Sequence, residues 1–257
     1  MFMKSKHLFI TLLCATLTMT ACRSSYKISG IERTRILIDS RYDKPLSKEL
    51  DEYMEPFTHA VDSIKSPVVG KAAQYMSAKR PEGLLSNLLP DILMWAAKDY
   101  NEKPDFAVYN IGGIRAAVAE GTVTYGDIME VAPFENKICF VTLSSEKTLE
   151  LLQQIAKRGG EGLSHGVQLR LSEDGKLLQA HINGEDVKAK NSYRVATIDF
   201  VAQGNDDMTA FKASTDVVMP KEEKNNVRNV IAEYFKEKMK NGETVDAKVE
   251  GRIVIEK

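Results

Sequence analysis

The sequence predicts an α+β fold, in which a mixed sheet packs against helices. Segments with helical spacing and segments with strand-like spacing of apolar residues follow one another without a regular β-α-β alternation. Of the 257 residues, 43% are hydrophobic and 28% are charged, so the chain can bury a core. The sequence contains no internal repeat and no low-complexity segment. We therefore expect one domain with a short N-terminal appendage.

The N-terminus has the layout of a bacterial lipoprotein signal peptide, predicted over residues 1–21. Basic residues precede an apolar run at residues 8–17, which is too short to cross a bilayer comfortably. Cys22 follows small residues, as the lipidated cysteine of a lipobox does. Residues 22–45 are then an anchor and tether for the following domain, residues 46–257. An ordinary secretory signal with an incidental cysteine is the alternative.

In the first part of the chain, the predicted elements depend on apolar spacing and on helix breakers. They are, in order, a strand at Ile31–Asp39, a helix at Leu46–Ile64, a strand at Pro67–Gly70 and a helix at Ser86–Lys98. Pro56 should break or kink the first helix, because proline removes a backbone donor. Ser86 or Asn87 is expected to cap the second helix, with Pro90 in its first turn.

The remaining elements are bounded by glycines and other turn residues. Predicted strands are Phe106–Tyr109, Lys137–Ser144, Gly166–Leu171, Leu177–Ile182, Tyr193–Phe200 and Arg252–Glu256. Predicted helices are Tyr125–Val131, Glu146–Arg158 and Glu222–Lys240. Residues 121–127 are expected to form a turn, and Asp174-Gly175 a hairpin turn.

Cysteine usage leaves one thiol in the predicted domain. Cys14 lies in the signal peptide and Cys22 is the expected anchor, so Cys139 has no intramolecular partner for a disulfide. Cys139 lies within an apolar run, which favours a buried structural cysteine over a nucleophile.

The stretch Tyr109–Phe134 carries side chains that suit a small polar ligand. Asn110 can both donate and accept at the edge of a base. Gly112 and Gly113 lack a Cβ and let the backbone approach a ligand closely. Arg115 offers a planar, permanently charged fork to a phosphate or carboxylate. A glycine-rich turn with one solvated arginine explains this stretch equally well when it is considered alone.

Three spaced regions of the chain share a distinctive order of residues. They are Asn110–Arg115 followed by Pro133–Asn136, then Tyr193–Asp207, and finally Val249–Ile253. Together they resemble the C-terminal domain of the 5'-nucleotidase family, which carries Asn-Gly-Gly-Gly-Ile-Arg, Pro-Phe-Gly-Asn, Tyr-Arg-Val-Ala-Thr-Asn-Phe and Gly-Gly-Asp-Gly. The likeness covers most of residues 67–257, and three motifs in the right order make it specific. It implies the fold of that domain.

The resemblance also implies a site for a nucleotide or nucleoside. Phe134 and Phe200 match the pair that sandwiches the base, and such stacking contributes about 1–3 kcal/mol per base. Packing in the core is the alternative for both rings. Asn110 matches the amide that meets the base. Arg115 matches the arginine that faces ribose and phosphate, and Asp206 matches the aspartate that accepts from ribose hydroxyls.

The chain departs from the family pattern at two places. Glu82–Leu88 matches a segment that follows a second family arginine, but Pro81 occupies that arginine's position. Arg80 is one place earlier, and its long side chain is expected to reach the substrate site. Asn205 and Asp207 replace two glycines of Gly-Gly-Asp-Gly. Added negative charge beside a phosphate is unfavourable, which weakens the case for tight phosphate binding.

Catalytic motifs of the family are missing from the sequence. The N-terminal part of a 5'-nucleotidase is a two-metal phosphoesterase with Asp-x-His, Asn-His-Asp or Asn-His-Glu, and Gly-His-x-His motifs, and none of these is present. The four histidines are scattered at positions 7, 59, 165 and 181, without the spacing of metal ligands. We therefore expect no cofactor in this chain, and divalent metals only in a separate catalytic chain. The net charge of -1 argues against polymeric nucleic acid as a partner.

Three functions are compatible with the sequence. The first is the nucleotide- or nucleoside-recognition half of a 5'-nucleotidase, acting in nucleotide catabolism with a separate metallophosphoesterase chain. The second is a lipid-anchored nucleoside- or nucleotide-binding protein without catalysis, and the third is a structural lipoprotein that has lost the ligand. All three place the protein in the bacterial cell envelope, lipid-anchored and facing the periplasm or the surface. Affinity for nucleosides separates the first two from the third.

Overall fold

The structure is a computed structural model that describes residues 26–37 and 47–256. The described residues from Glu52 onwards form one compact unit, and those before it belong to another. Helices in the described ranges are α1 (Lys48–Lys65), α2 (Leu84–Ala96), α3 (Tyr125–Val131), α4 (Ser145–Lys157), α5 (Asp199–Ala202) and α6 (Val227–Lys240). Strands are β1 (Val68–Ala72), β2 (Phe106–Tyr109), β3 (Gly121–Thr124), β4 (Ile138–Ser144), β5 (Gly162–Leu163), β6 (Val167–Ser172), β7 (Leu177–Ile182), β8 (Glu185–Asp186), β9 (Ser192–Ile198), β10 (Thr215–Val218) and β11 (Ile253–Glu256).

A five-stranded mixed sheet with the order β10-β4-β9-β2-β5 lies at the centre of the fold. Strand β9 pairs antiparallel with β4 along its whole length, from Ile138↔Ile198 to Ser144↔Ser192. On its other side, β9 pairs in parallel with β2, while β10 and β5 are antiparallel to their neighbours. The predicted α+β class with a mixed sheet is confirmed.

Two smaller sheets flank this one. Strands β11, β6, β7 and β8 form a four-stranded sheet in which β11 runs parallel to β6. Strands β1 and β3 form an antiparallel pair, so residues 121–124 are a strand rather than the predicted turn. Thr124 then begins α3 through a capping box, since its Oγ1 accepts from Asp127 N–H at 3.2 Å and Asp127 accepts from Thr124 N–H at 2.7 Å.

Helices α2, α4 and α6 bury their apolar faces in a single core with the sheets. On α2 the fully buried residues include Leu85, Leu89, Ile92 and Leu93. Burying each such side chain contributes about 1.5–3 kcal/mol. Trp95 is partly buried at the edge of the core and donates from Nε1 to Glu237 Oε1 at 2.9 Å.

Several boundaries differ from the prediction for identifiable reasons. Helix α2 begins at Leu84 after Gly83, without a side-chain cap, and the hydroxyl of Ser86 donates to Gly83 O at 3.0 Å. Pro90 therefore lies beyond the first turn. Helix α1 continues through Pro56 and buries none of its residues.

The N-terminal predictions are only partly covered by the structure. Residues 31–37 have no regular structure, so the strand predicted there is absent from the described ranges. The signal peptide, Cys22 and residues 38–46 lie outside those ranges. None of the helices within residues 26–37 and 47–256 combines the length and the apolar composition that a bilayer-spanning helix needs.

Candidate functional site

The sheet topology brings three separate parts of the chain to one edge. The parallel pairing of β2 with β9 places Asn110, which follows β2, beside the residues that follow β9. The antiparallel register Ile138↔Ile198 places the loop before β4 at the same edge. That loop carries Phe134, and the segment after β9 carries Phe200 and Asp206. Residues far apart in the sequence therefore meet at the ends of three neighbouring strands.

A cavity of about 170 Å³ opens at this edge. It is lined by Asn110, Gly112, Gly113, Phe134, Asn136, Phe200 and Asp206. Six of these are substrate-binding residues predicted from the sequence. Asn136 is the addition, and its position in the matched Pro-Phe-x-Asn segment was the signal that could have identified it.

The two phenylalanine rings belong to the cavity wall rather than to the core. Phe134 is 48% exposed and Phe200 is 37% exposed, whereas core phenylalanines such as Phe106 are fully buried. Phe200 was predicted at the end of a strand, but β9 ends at Ile198 and Phe200 lies in the short helix α5. Exposed aromatic faces beside a cavity suit stacking against a planar ligand.

A hydrogen bond between an amide and a carboxylate lies at one side of the cavity. Asn110 is only 3% exposed, and its Nδ2 donates to Asp206 Oδ2 at 2.7 Å. An ionised carboxylate only accepts, so this bond fixes the amide orientation and leaves Oδ1 of Asn110 facing Gly113. In the described part of the chain, Oδ1 has no hydrogen-bond partner. A Cβ on Gly113 would lie 2.8 Å from Oδ1, so glycine at this position lets the buried amide keep its orientation.

The two arginines predicted in the site do not line the cavity. Arg115 is exposed, and its Nη1 donates to Gly112 O at 3.4 Å. Arg80 donates from Nε to Gly160 O at 2.8 Å, and its Nη2 pairs with Glu161 Oε1. The guanidinium of Arg80 is thus directed at a carboxylate of the chain itself.

Glu161 is a buried acceptor that sequence reasoning missed. Its side chain is 0% exposed, and it pairs with both Arg80 and Arg158. Oε1 accepts from Arg158 Nε at 2.7 Å, and Oε2 accepts from the N–H of Ile111 at 2.6 Å. A buried carboxylate needs such partners, because an unpaired charge would be strongly unfavourable there. Glu161 thus fixes the turn that carries the glycines.

Arg158 links this buried carboxylate to the loop after α5. Its Nη1 donates to Asp207 Oδ2 at 3.1 Å, and its Nη2 lies 3.9 Å from Asp206 Oδ1. Burial lowers the pKa of Arg158, but the hydrogen bond to Glu161 and the nearby carboxylates outweigh it, so the pKa is raised. The pattern that could have revealed Arg158 and Glu161 is a pair of opposite charges that flanks Gly159-Gly160.

The aspartate loop adopts the backbone conformation that its glycine-rich counterpart would favour. Asp206 and Asp207 have φ values of 52° and 56°, in the left-handed region. Aspartate and asparagine tolerate this region better than most residues. The replacement of a family glycine by Asp207 therefore preserves the loop and adds a carboxylate.

Metal-binding potential is low in the part of the chain that the structure describes. There, no group of three or more His, Cys, Asp or Glu side chains could hold a metal ion. His165 instead contacts Glu250, with Nδ1 3.0 Å from Oε2.

Comparisons with known proteins identify relatives along most of the chain. A family model described as "5'-nucleotidase, C-terminal domain" matches residues 68–213. The chain is 28% identical over 225 residues to the trifunctional nucleotide phosphoesterase protein YfkN of Bacillus subtilis, a match that covers 80% of this chain and 15% of that protein. It is 32% identical over 108 residues to a 5'-nucleotidase of Vibrio cholerae, covering 40% of this chain and 19% of that protein.

The fold is also found in a solved structure. The 5'-nucleotidase precursor from Thermus thermophilus matches with a TM-score of 0.65 and 24% identity, over 80% of this chain and 42% of that one. The chain thus spans less than half the length of the proteins that it matches.

Proposed function

We propose that this chain, which belongs to the family of 5'-nucleotidase C-terminal domains, is the nucleotide- or nucleoside-recognition half of a 5'-nucleotidase. The observation that carries the proposal is the cavity between Phe134 and Phe200, with Asn110 and Asp206 at its side. Apolar rings and a few fixed polar groups are the usual composition of a small-molecule site.

Six of the seven lining residues then have a part in recognition. The rings of Phe134 and Phe200 stack on the base, which tolerates different bases because every base has a π-face. Asp206 accepts from ribose hydroxyls, and the bond from Asn110 holds its carboxylate in place. Gly112 and Gly113 keep the adjacent wall free of side chains.

Hydrolysis of the phosphate ester is assigned to a separate metallophosphoesterase chain. The sequence contains none of the metal-binding motifs that such chemistry uses, while its matched relatives are described as nucleotidases and a nucleotide phosphoesterase. Bound divalent metals would activate a water and clamp the phosphoryl oxygens. A gain in hydrolysis of AMP when the chain is mixed with a co-purifying metallophosphoesterase supports this assignment, and no gain with any such enzyme refutes it.

The proposed location is the bacterial cell envelope, with Cys22 as the lipid anchor. The support is the signal-peptide layout of the first 21 residues, which Cys22 follows directly. Labelling cells with an alkyne-tagged fatty acid should tag the wild-type chain and leave a Cys22→Ala variant unlabelled. Equal labelling of the two chains would contradict lipidation at Cys22.

A thermal-shift titration of the full-length chain in detergent tests nucleobase recognition. Adenosine, AMP, UMP and UDP-glucose are compared on the wild type, on Phe200→Ala and on Phe57→Ala. Phe57 is the matched control, because it is 55% exposed on α1 and does not line the cavity. We expect a shift that Phe200→Ala abolishes and Phe57→Ala retains. No shift with any ligand would leave the structural lipoprotein as the better account.

A non-catalytic binding protein is the second candidate. It is favoured by the fact that the residues lining the cavity all belong to this chain. Saturable nucleoside binding together with no effect on any metallophosphoesterase distinguishes it from the first proposal.

A further inference from the structure

Two arginines and three carboxylates beside the cavity form one ion-pair network. Arg80 and Arg158 both pair with the buried carboxylate of Glu161, and Arg158 also pairs with Asp207. Asp206 lies at the cavity side of the same network, 3.9 Å from Arg158. Two guanidinium groups therefore face three carboxylates, and the network carries one net negative charge before a ligand binds.

Both arginines of this network are already paired with groups of the chain itself. Arg80 directs Nε to Gly160 O and Nη2 to Glu161, so two of its donor nitrogens face backbone and carboxylate. Arg158 directs Nε to Glu161 and Nη1 to Asp207. A phosphate that approached either guanidinium would therefore compete with carboxylates that are covalently part of the site.

Among the residues that the structure describes, those lining the cavity include a carboxylate and no cation. Asp206 is the charged residue of that lining, and Asp207 lies beside it in the chain. Arg115 follows the glycine turn, where it is exposed and donates to Gly112 O at 3.4 Å. A nucleoside monophosphate would bring about -1.5 to -2 charges towards this carboxylate pair.

We propose that the cavity selects uncharged nucleosides over nucleoside monophosphates, and that Asp207 strengthens this discrimination. The inference rests on the proposed function, and it specifies which part of a nucleotide this chain holds by itself. Base and ribose are bound here, while the negative charge of the phosphate must be compensated by cations that the ligand meets outside this cavity. Asp207 occupies a position where the family motif has glycine. The contribution of Asp207 to the preference for nucleosides over nucleoside monophosphates is therefore specific to this sequence.

The effect of ionic strength on AMP affinity distinguishes repulsion of the phosphate from attraction. If the network repels a phosphate, then raising the ionic strength screens the repulsion and strengthens AMP binding. If a free arginine attracts the phosphate, the same change weakens AMP binding. Adenosine is uncharged and supplies the internal reference at each salt concentration.

The experiment is isothermal titration calorimetry of the full-length chain in detergent with adenosine and AMP, at low and high sodium chloride. Wild type is compared with Asp207→Asn, which removes the charge and tolerates the left-handed backbone. Asp62→Asn is the matched control, because Asp62 is exposed on α1 and does not line the cavity. We expect adenosine to bind at least about fivefold more tightly than AMP at low salt, a difference of about 1 kcal/mol.

The variants and the salt series then separate the outcomes. Asp207→Asn should narrow the adenosine-to-AMP ratio by about threefold without changing adenosine affinity, and high salt should narrow the ratio in the wild type. Tighter binding of AMP than adenosine, or a ratio that Asp207→Asn and salt both leave unchanged, overturns this inference while leaving nucleobase recognition standing. Failure of both ligands to bind overturns the proposed function and the inference with it.

Discussion

Replacing Gly113 by alanine should disrupt the site from within. An ideal Cβ at this position lies 2.8 Å from Oδ1 and 3.3 Å from Cγ of Asn110, and the first distance is closer than such atoms approach. Asn110 is buried, so it must rotate and break its 2.7 Å bond to Asp206. Loss of a hydrogen bond to a charged group costs about 1.5–3 kcal/mol, and overpacking adds to this cost.

Gly112→Ala supplies the matched control for this prediction. Its Cβ would lie 3.5 Å from Asp206 Oδ2, which is ordinary contact, and Gly112 has no positive φ. A tolerated Gly→Ala change stabilises by about 0.4–1 kcal/mol through the unfolded chain. Gly113 has no positive φ either, so this gain applies to both variants and cancels in their comparison. The free energy of unfolding in urea should therefore be about 1.5–3 kcal/mol lower for Gly113→Ala than for Gly112→Ala, which is the cost of the lost hydrogen bond. Equal unfolding free energies for the two variants would refute the argument.

Three further predictions concern groups away from the cavity. Burial raises the pKa of the Cys139 thiol to about 12. The thiol should therefore not react with a disulfide reagent at pH 8 until the protein unfolds. Rapid labelling of the native chain would contradict this prediction. Arg252 donates to both carboxylate oxygens of Asp91, at 3.0 and 2.7 Å. Arg252→Met should lower the unfolding free energy by about 2–3 kcal/mol, which is less than the loss of a fully buried ion pair costs, because Asp91 stays partly hydrated. An unchanged midpoint of urea unfolding would contradict this prediction. The hydrogen bond from His165, with a further contribution from Arg252, lowers the pKa of Glu250. The stability that ionised Glu250 contributes is therefore fully present above its unfolded pKa of about 4.3, and it is lost as the pH falls through the lower folded pKa. Glu250→Gln should flatten that part of the stability profile, measured by urea unfolding between pH 5 and pH 3, and an unaltered slope would contradict the assignment.

Elements with strong local signals could be predicted to their ends. Helix α3 begins where Thr124 and Asp127 form a capping box, and its predicted bounds, Tyr125–Val131, are those observed. Strand β7 also has its predicted bounds, Leu177–Ile182, because a turn residue pair precedes it. In these cases the information lies within a few neighbouring residues.

Short strands could not be predicted, because their partners are distant in the sequence. Gly121–Thr124 is a strand only through its pairing with β1, much earlier in the chain. The two-residue strand Gly162–Leu163 likewise exists only through its pairing with β2. Phe200 was placed on a strand, since apolar spacing does not reveal that β9 gives way to a helical turn at Asp199.

In the candidate site, the motif residues could be predicted from the sequence, whereas the ion pairs could not. The motif residues Asn110, Phe134 and Asp206 were predicted from the resemblance, and the structure places them around one cavity. The ion pairs that decide where the arginines point were not predictable, because the partners of Arg80 and Arg158 depend on how a buried carboxylate is positioned in three dimensions.

The most direct test of nucleobase recognition is a calorimetric titration of adenosine into the full-length chain carrying both Phe134→Ala and Phe200→Ala, with Phe57→Ala measured in parallel. If the two rings sandwich the base, the double variant should lose at least about 1–3 kcal/mol of binding free energy, while Phe57→Ala matches the wild type. Adenosine affinity that survives in the double variant would show that the cavity between these rings is not the nucleoside site.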